Sequence, residues 1–155
     1  LLHAFWLLNN PATTLIMVGD GELKPEMLAF INKHQIRNII LTGFVNQSEI
    51  VQYYAAADVF VMCSGMGETW GLSVNEAMNF SLPLILSDMP GSGADLLQEG
   101  INGILFKTGD VEGLRWALQK MAEMSEQERL LMGQASEKII SEYNYEKIGA
   151  AFSQL

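Results

Sequence analysis

Apolar residues are concentrated in short runs, and longer stretches with an apolar residue every three or four positions separate these runs. The runs are almost uniformly apolar and lack the alternation of apolar and polar residues that marks a half-exposed antiparallel strand. They are typical of strands buried on both faces of a parallel sheet. We therefore predict strands at residues 15–18, 39–42, 59–62, 84–86 and 103–106.

The longer stretches have the spacing of helices. Asn9, Asn10 and Pro11 end the first one, and Ser125 with Glu128 three residues later predicts a capping box at the start of another. The predicted helices span residues 1–8, 22–34, 47–56, 71–80, 94–99, 111–124 and 126–142, and a last one begins at Tyr145.

This alternation of strands and helices predicts one α/β domain with a doubly wound, Rossmann-like parallel sheet and helices on both faces. In such sheets, ligands bind beyond the carboxyl ends of the strands. The loops that follow the predicted strands are therefore the places to look for a site.

Charge and cysteine content narrow the possible partners and compartment. Hydrophobic residues make up 49% of the chain and charged residues 17%, which excludes an intrinsically disordered protein. The formal net charge of -9 repels nucleic acid, and no run of Lys and Arg could meet anionic lipid headgroups. Cys63 is the single cysteine, and we place it in the core. Without a partner for a disulfide, a reducing, cytoplasmic compartment is expected.

Glycine turns follow the first two predicted strands. Gly19 and Gly21 flank Asp20 after the first, and Gly43 precedes Phe44 after the second. Glycine lets the backbone approach a ligand closely, although an ordinary tight turn explains the same pattern. The dinucleotide fingerprint is not met, because Lys24 stands where its third glycine would be.

The segment GETWGLSVNEAM follows the third predicted strand and holds two acids, Glu68 and Glu76. In one continuous helix these acids would lie roughly 80° apart, on neighbouring faces. The glycines around Glu68 disfavour that helix. We therefore place Glu68 in a loop, start the helix near Gly71, and put Glu76 about one turn inside it.

In this arrangement the amides of Gly71, Leu72 and Ser73 point out of the helix start, where they can hold a phosphate without any Lys. Glu76 can accept hydrogen bonds from a diol such as ribose, and Glu68 from hydroxyls of a group carried on the phosphate. The alternative is that Glu68 is a surface loop acid and Glu76 a solvated helix residue.

The stretches VGDGEL, YYAAADVFVMCS, GETWGLSVNEAM, LPLILSD and GINGILF resemble, in order and spacing, the carboxyl-terminal half of family-four retaining glycosyltransferases of the GT-B architecture. The resemblance covers nearly the whole chain. Its most specific part is the pair of acids, Glu68 and Glu76, with seven residues between them.

This resemblance implies a nucleotide-sugar donor domain. Glu76 would lie on the ribose hydroxyls and Glu68, the catalytic candidate, beside the donor sugar. The amides of Gly71, Leu72 and Ser73 would lie at the diphosphate, and the loops containing Gly19, Gly21 and Phe44 would line the nucleotide cleft. The family usually needs no metal, and the donor is a substrate, so no cofactor is expected. His3 and His34 have no second ligand nearby in the sequence, so no metal site is predicted.

The resemblance also implies missing parts. Residues 1–155 would be the donor-binding domain alone, without its first strand, an Arg and Lys pair upstream of Leu1, and the N-terminal domain that binds the acceptor. Any membrane contact would lie in that missing half. Because the absent strand belongs between the strands at 15–18 and 59–62, we expect a gap or an exposed sheet edge there. Ser81 stands where relatives carry Gly. A left-handed backbone at this position would cost serine roughly 1 kcal/mol relative to glycine.

The expected parent is an enzyme of the hexosyltransferase type that moves a sugar to a glycan, lipid or other acceptor, as in polysaccharide biosynthesis. The chain by itself is expected to be inactive. Two alternatives stay open: a non-catalytic nucleotide-binding or interaction module on the same scaffold, and a sugar epimerase of the GT-B type.

Overall fold

A computed structural model describes residues 1–65 and 67–144. The helix predicted from Tyr145 lies outside these residues. The helices within them are α1 (Leu2–Leu8), α2 (Lys24–His34), α3 (Gln47–Ala56), α4 (Leu72–Asn79), α5 (Gly91–Leu96), α6 (Val111–Glu123) and α7 (Glu126–Ser141). None of the helices in the described part of the chain combines the length and apolar character needed to cross a membrane.

The strands are β1 (Leu15–Val18), β2 (Ile39–Gly43), β3 (Phe60–Met62), β4 (Leu84–Ser87) and β5 (Gly103–Phe106). All pairs are parallel, as predicted, and they form two sheets, β1-β2 and β3-β4-β5. Among the described residues, no strand pairs β1 with β3, between which the family resemblance implied a gap or an exposed edge.

The three-stranded sheet carries the core on both faces. Leu84 and Leu86 of β4 face one cluster with Val74 and Met78 of α4. Ile85, between them, faces a second cluster, which contains Ala4 of α1 and several residues of α6. Because successive side chains of a strand point to opposite faces, an uninterrupted apolar run serves both clusters. The predicted α/β class with helices on both faces is confirmed.

The two-stranded sheet is less covered than predicted. Ile16 and Val18 of β1 are 38% and 40% exposed, and Ile40 of β2 is 50% exposed. The expectation that every strand is buried on both faces is therefore wrong for β1 and β2. Each strand of a two-stranded sheet has a neighbour on one side only, so its apolar run is not enclosed as that of β4 is.

Helix α5 begins three residues earlier than the predicted span of 94–99 and also ends three residues earlier. Pro90 is its extended N-cap residue. The amides of Gly91 and Ser92 donate to the carbonyls of Thr69 and Trp70. These hydrogen bonds to another loop stabilise a helical conformation in the glycine-rich segment. At the other end, Leu97 is extended and stops it.

Two local predictions about the helix ends are confirmed. Ser81 follows α4 in the left-handed conformation with φ 53°, and its hydroxyl donates a 2.6 Å hydrogen bond to Glu137 of α7. Ser125 and Glu128 form the predicted capping box of α7. The placement of Cys63 in the core is wrong, because this residue follows the end of β3 and is exposed.

Candidate functional site

The glycine loops after β1 and β2 form one unit. The amide of Gly19 donates a 3.1 Å hydrogen bond to the carbonyl of Gly43, which forms an isolated antiparallel bridge just past the parallel pairing of the two strands. Gly19 has φ 128° and Gly43 φ 72°, so both adopt backbone conformations that favour glycine. Phe44 follows directly and is 78% exposed. The structure thus brings together Gly19, Gly21 and Phe44, three of the predicted donor-binding residues.

The carboxylate of Asp20 accepts two hydrogen bonds that stabilise the loop after β1. One carboxylate oxygen accepts from the amide of Gly21 at 2.9 Å, and the other accepts from Nζ of Lys24 at 2.8 Å. The hydrogen bond from Lys24, followed by that from Gly21, holds the pKa of Asp20 below its ordinary value. The positive charge of Lys24 is therefore paired with a carboxylate at the edge of the loop.

Helix α4 begins where the sequence predicted. Gly71 is the N-cap residue, with φ 87°, and no side chain caps the helix. The first helix amides, at Leu72 and Ser73, have no acceptor among the described residues. Leu72 is 71% exposed, whereas Gly71 is buried against the side chains of Met62 and Ser92. The helix start therefore presents uncapped amides at its solvent side, with the dipole favouring an anion.

Hydrogen bonds from the β4 side position the loop before α4. The carbonyls of Thr69 and Trp70 accept from the first amides of α5 at 3.2 Å. The indole N–H of Trp70 donates to Asn75 inside α4 at 2.9 Å, and the ring packs against the core. The loop is thus fixed between α4 and α5, although Met66 within it is not described.

The loops after β3, β4 and β5 are also joined. Ser87 at the end of β4 donates from its hydroxyl to the carbonyl of Ser64 at 2.7 Å. Asp88 accepts from both the amide and the hydroxyl of Thr108, at 2.8 and 2.7 Å. These two hydrogen bonds, the hydroxyl one foremost, lower the pKa of Asp88. Three adjacent strand ends therefore form one connected rim.

Glu76 lies in the second turn of α4 and is half-buried. Its Oε2 accepts a 2.7 Å hydrogen bond from the hydroxyl of Tyr54 on α3. Burial, and then this hydrogen bond to a carboxylate, raise the pKa of Tyr54, so the phenol remains a donor. The alternative that Glu76 is simply a solvated helix residue does not describe this environment.

Glu68 lies in the loop before α4, as predicted, and is half-buried. Its amide donates to the carbonyl of Gly65 at 3.1 Å, in a tight turn. The predicted residues thus fall into two groups. One group is on the two-stranded sheet, and the other, with Glu68, Gly71 and Glu76, is on the three-stranded sheet.

Sequence reasoning missed two side chains of this region. Tyr54 contacts Glu76 from another helix, 22 positions away, and no local spacing indicates that contact. Ser92 is fully buried next to Gly71, and its hydroxyl has no hydrogen-bond partner within residues 1–65 and 67–144. The glycines on both sides of Ser92 give no local signal of a buried side chain.

Comparison with known proteins identifies sequence relatives over most of the chain. Residues 1–139 match the family model described as "Glycosyl transferases group 1". The sulfoquinovosyl transferase SQD2 of Arabidopsis thaliana is 33% identical over 138 residues, which cover 87% of this chain and 26% of the relative. The alpha-monoglucosyldiacylglycerol synthase of Acholeplasma laidlawii is 37% identical over 103 residues, which cover 66% of this chain and 25% of that protein.

Solved structures show the same architecture. Anabaena Alr3699/HepE, in a crystal structure with UDP and glucose, superposes on 99% of this chain and 44% of its own, with a TM-score of 0.82 and 23% identity. This likeness confirms the predicted fold of the GT-B type. The chain spans about a quarter of the length of these two curated relatives.

Proposed function

Since the chain belongs to the group 1 glycosyl transferase family, we propose that it binds the nucleotide-sugar donor of a sugar transfer. The observation that carries this proposal is the start of α4, where uncapped amides lie one turn before a half-buried carboxylate. The amides suit a diphosphate, and the carboxylate suits sugar hydroxyls. Both parts of a nucleotide-sugar are thus matched by one short helix.

The diphosphate binds at the amides of Gly71, Leu72 and Ser73. A net charge of -9 works against anion binding at long range, so the attraction has to be local. Backbone amides at a helix start provide it without a cation. The tie between the loop and α5 supports this role, because donors that are already fixed lose little entropy on binding.

Glu76 accepts hydrogen bonds from the ribose, and Glu68 lies beside the donor sugar as the catalytic candidate. A carboxylate accepts hydrogen bonds from hydroxyl groups, and both the ribose and the donor sugar carry such groups. The loops with Gly19, Gly21 and Phe44 line the nucleotide end of the cleft. The exposed ring of Phe44 supports that placement, since an aromatic face suits a planar base.

The whole protein, in this proposal, is a retaining glycosyltransferase of the hexosyltransferase type. HepE has been solved in complex with UDP-glucose, and the names of the two curated relatives describe a sulfoquinovosyl transferase and a glucosyldiacylglycerol synthase. We propose a glycan or lipid acceptor, in polysaccharide biosynthesis or a similar process. A further domain binds the acceptor and makes any contact with a membrane. This chain alone transfers no sugar. The reaction needs no metal or cofactor and takes place in the cytoplasm.

Titration calorimetry of the chain with UDP, GDP and ADP tests the proposal. One of these diphosphates should bind with measurable heat. Glu76→Ala should weaken that binding by about 10- to 100-fold, as expected for lost hydrogen bonds to a charged group. Glu68→Ala should weaken binding of the nucleotide-sugar and leave the free diphosphate unaffected. Absence of heat with all three diphosphates would reject the proposal.

A further inference from the structure

Tyr54 is built into the core in a way that fixes its hydroxyl. The residue is only 8% exposed and belongs to the core cluster that also contains Val74 and Met78 of α4. The ring stacks on Phe80 with centroids 5.5 Å apart, and it contacts Phe60 at 6.1 Å with a tilt of 45°. Two aromatic neighbours thus restrict the ring, so its hydroxyl occupies a defined position beside Glu76.

That hydroxyl holds one oxygen of Glu76. The donor on α3 and the acceptor on α4 are 2.7 Å apart, a short hydrogen bond to a carboxylate. A glutamate has three side-chain torsions and loses considerable rotamer freedom when it is ordered. Here the protein itself supplies the order, because the packed side chain of Tyr54 holds the carboxylate by a hydrogen bond.

We propose that Tyr54 is a positioning residue for the ribose site, a role that rests on the proposed function of Glu76. Through its hydrogen bond to Oε2, it orients the carboxylate so that the remaining acceptor sites of Glu76 face the ribose hydroxyls. Tyr54 itself does not touch the ribose.

The acceptor capacity of the carboxylate allows both contacts together. An ionised carboxylate has about four lone-pair sites, and the hydroxyl of Tyr54 occupies one of them. Removing the hydroxyl therefore gives the ribose no acceptor that it needs, because the other lone-pair sites of Glu76 are available to it in either case. It removes the preorganisation of Glu76, and part of the binding free energy is then spent on ordering the side chain.

The test compares a nucleoside diphosphate with its 2′,3′-dideoxy counterpart on Tyr54→Phe, which keeps the ring and removes only the hydroxyl. The diphosphate among UDP, GDP and ADP that binds the wild-type chain most tightly is used. The ratio of the two dissociation constants measures ribose recognition alone. Tyr53→Phe is the matched control: it makes the same change one residue earlier on α3, at a tyrosine with no hydrogen bond to Glu76. Thermal unfolding of each variant reports its folding.

Tyr54→Phe should reduce the preference for ribose by about three- to tenfold, with binding of the dideoxy ligand unchanged. Tyr53→Phe should retain the wild-type ratio, and Glu76→Ala should bring the ratio close to one. A Tyr54→Phe ratio equal to wild type, an increased ratio, or equal weakening of both ligands would overturn the positioning role. If the wild-type chain binds none of the diphosphates, or does not prefer ribose, the function proposed for Glu76 fails, and the role of Tyr54 with it.

Discussion

Gly71 lies directly against Met62, so close that a Cβ on the glycine would be 2.9 Å from Cε of the methionine. The same glycine has φ 87°, a conformation that L-residues seldom adopt. The left-handed backbone therefore favours glycine at the first position of the candidate phosphate site, and the contact with the end of the Met62 side chain adds a smaller constraint.

Gly71→Ala should lower the free energy of unfolding by about 1 to 3 kcal/mol, through left-handed strain and displacement of Met62. It should also weaken binding of the nucleoside diphosphate, because the amides of α4 shift with the helix start. Gly67→Ala in the same loop is the control, since its Cβ would meet nothing within 4 Å. Equal stability of the two variants in urea unfolding would show that the constraint at Gly71 is absent.

Ser92→Ala should raise the free energy of unfolding by roughly 1 kcal/mol, because a buried hydroxyl without a partner is costly. Ser92 is fully buried and has no hydrogen-bond partner among residues 1–65 and 67–144. Ser136 is equally buried but donates to the carbonyl of Asn102, so Ser136→Ala should be destabilising. Chemical denaturation of both variants measures these changes in the free energy of unfolding. A loss of stability in Ser92→Ala would mean that the hydroxyl is satisfied.

Asp88 should contribute to stability at neutral pH and lose that contribution in acid. Hydrogen bonds from the hydroxyl and amide of Thr108 lower its pKa from the ordinary value of 3.8. A carboxyl with a lowered folded pKa contributes fully above its unfolded pKa, and its contribution disappears as pH falls through the folded pKa. Part of the acid destabilisation below about pH 4 should therefore depend on Asp88.

Melting temperatures between pH 7 and pH 3 test this for Asp88→Asn, with the exposed Asp95→Asn on α5 as control. The Asp88 variant should be less stable at pH 7 and should lose less of its stability on acidification. Parallel pH profiles for the two variants and the wild type would contradict the assignment.

Short-range patterns explain why much of the fold could be predicted. The strands β1 and β5 have the predicted bounds, and the other strands differ by a residue at one end. Their uninterrupted apolar runs are a local property of the sequence. The start of α4 was also predicted, because Gly71 follows a glycine-rich loop and precedes a helical pattern.

Contacts between distant segments explain what could not be predicted. Helix α5 begins at Gly91 because the carbonyls of Thr69 and Trp70 accept hydrogen bonds from its first amides. A glycine-rich stretch usually indicates a turn, but these contacts make it helical here. The bond between Tyr54 and Glu76 joins two helices and follows from their packing. The exposure of β1 depends on the division of the sheet and not on the apolar character of the run.

The proposed function requires that the start of α4 holds the diphosphate of a nucleotide-sugar. Amide chemical shifts of the ¹⁵N-labelled chain measure this, with the tightest-binding diphosphate among UDP, GDP and ADP and with the corresponding nucleoside, which lacks the phosphates. On titration with the diphosphate, the amides of Gly71, Leu72 and Ser73 should shift strongly and saturably, and the nucleoside should leave them almost unchanged. If these three resonances stay in place while the diphosphate saturates the chain, it binds elsewhere and the proposed function of α4 is wrong.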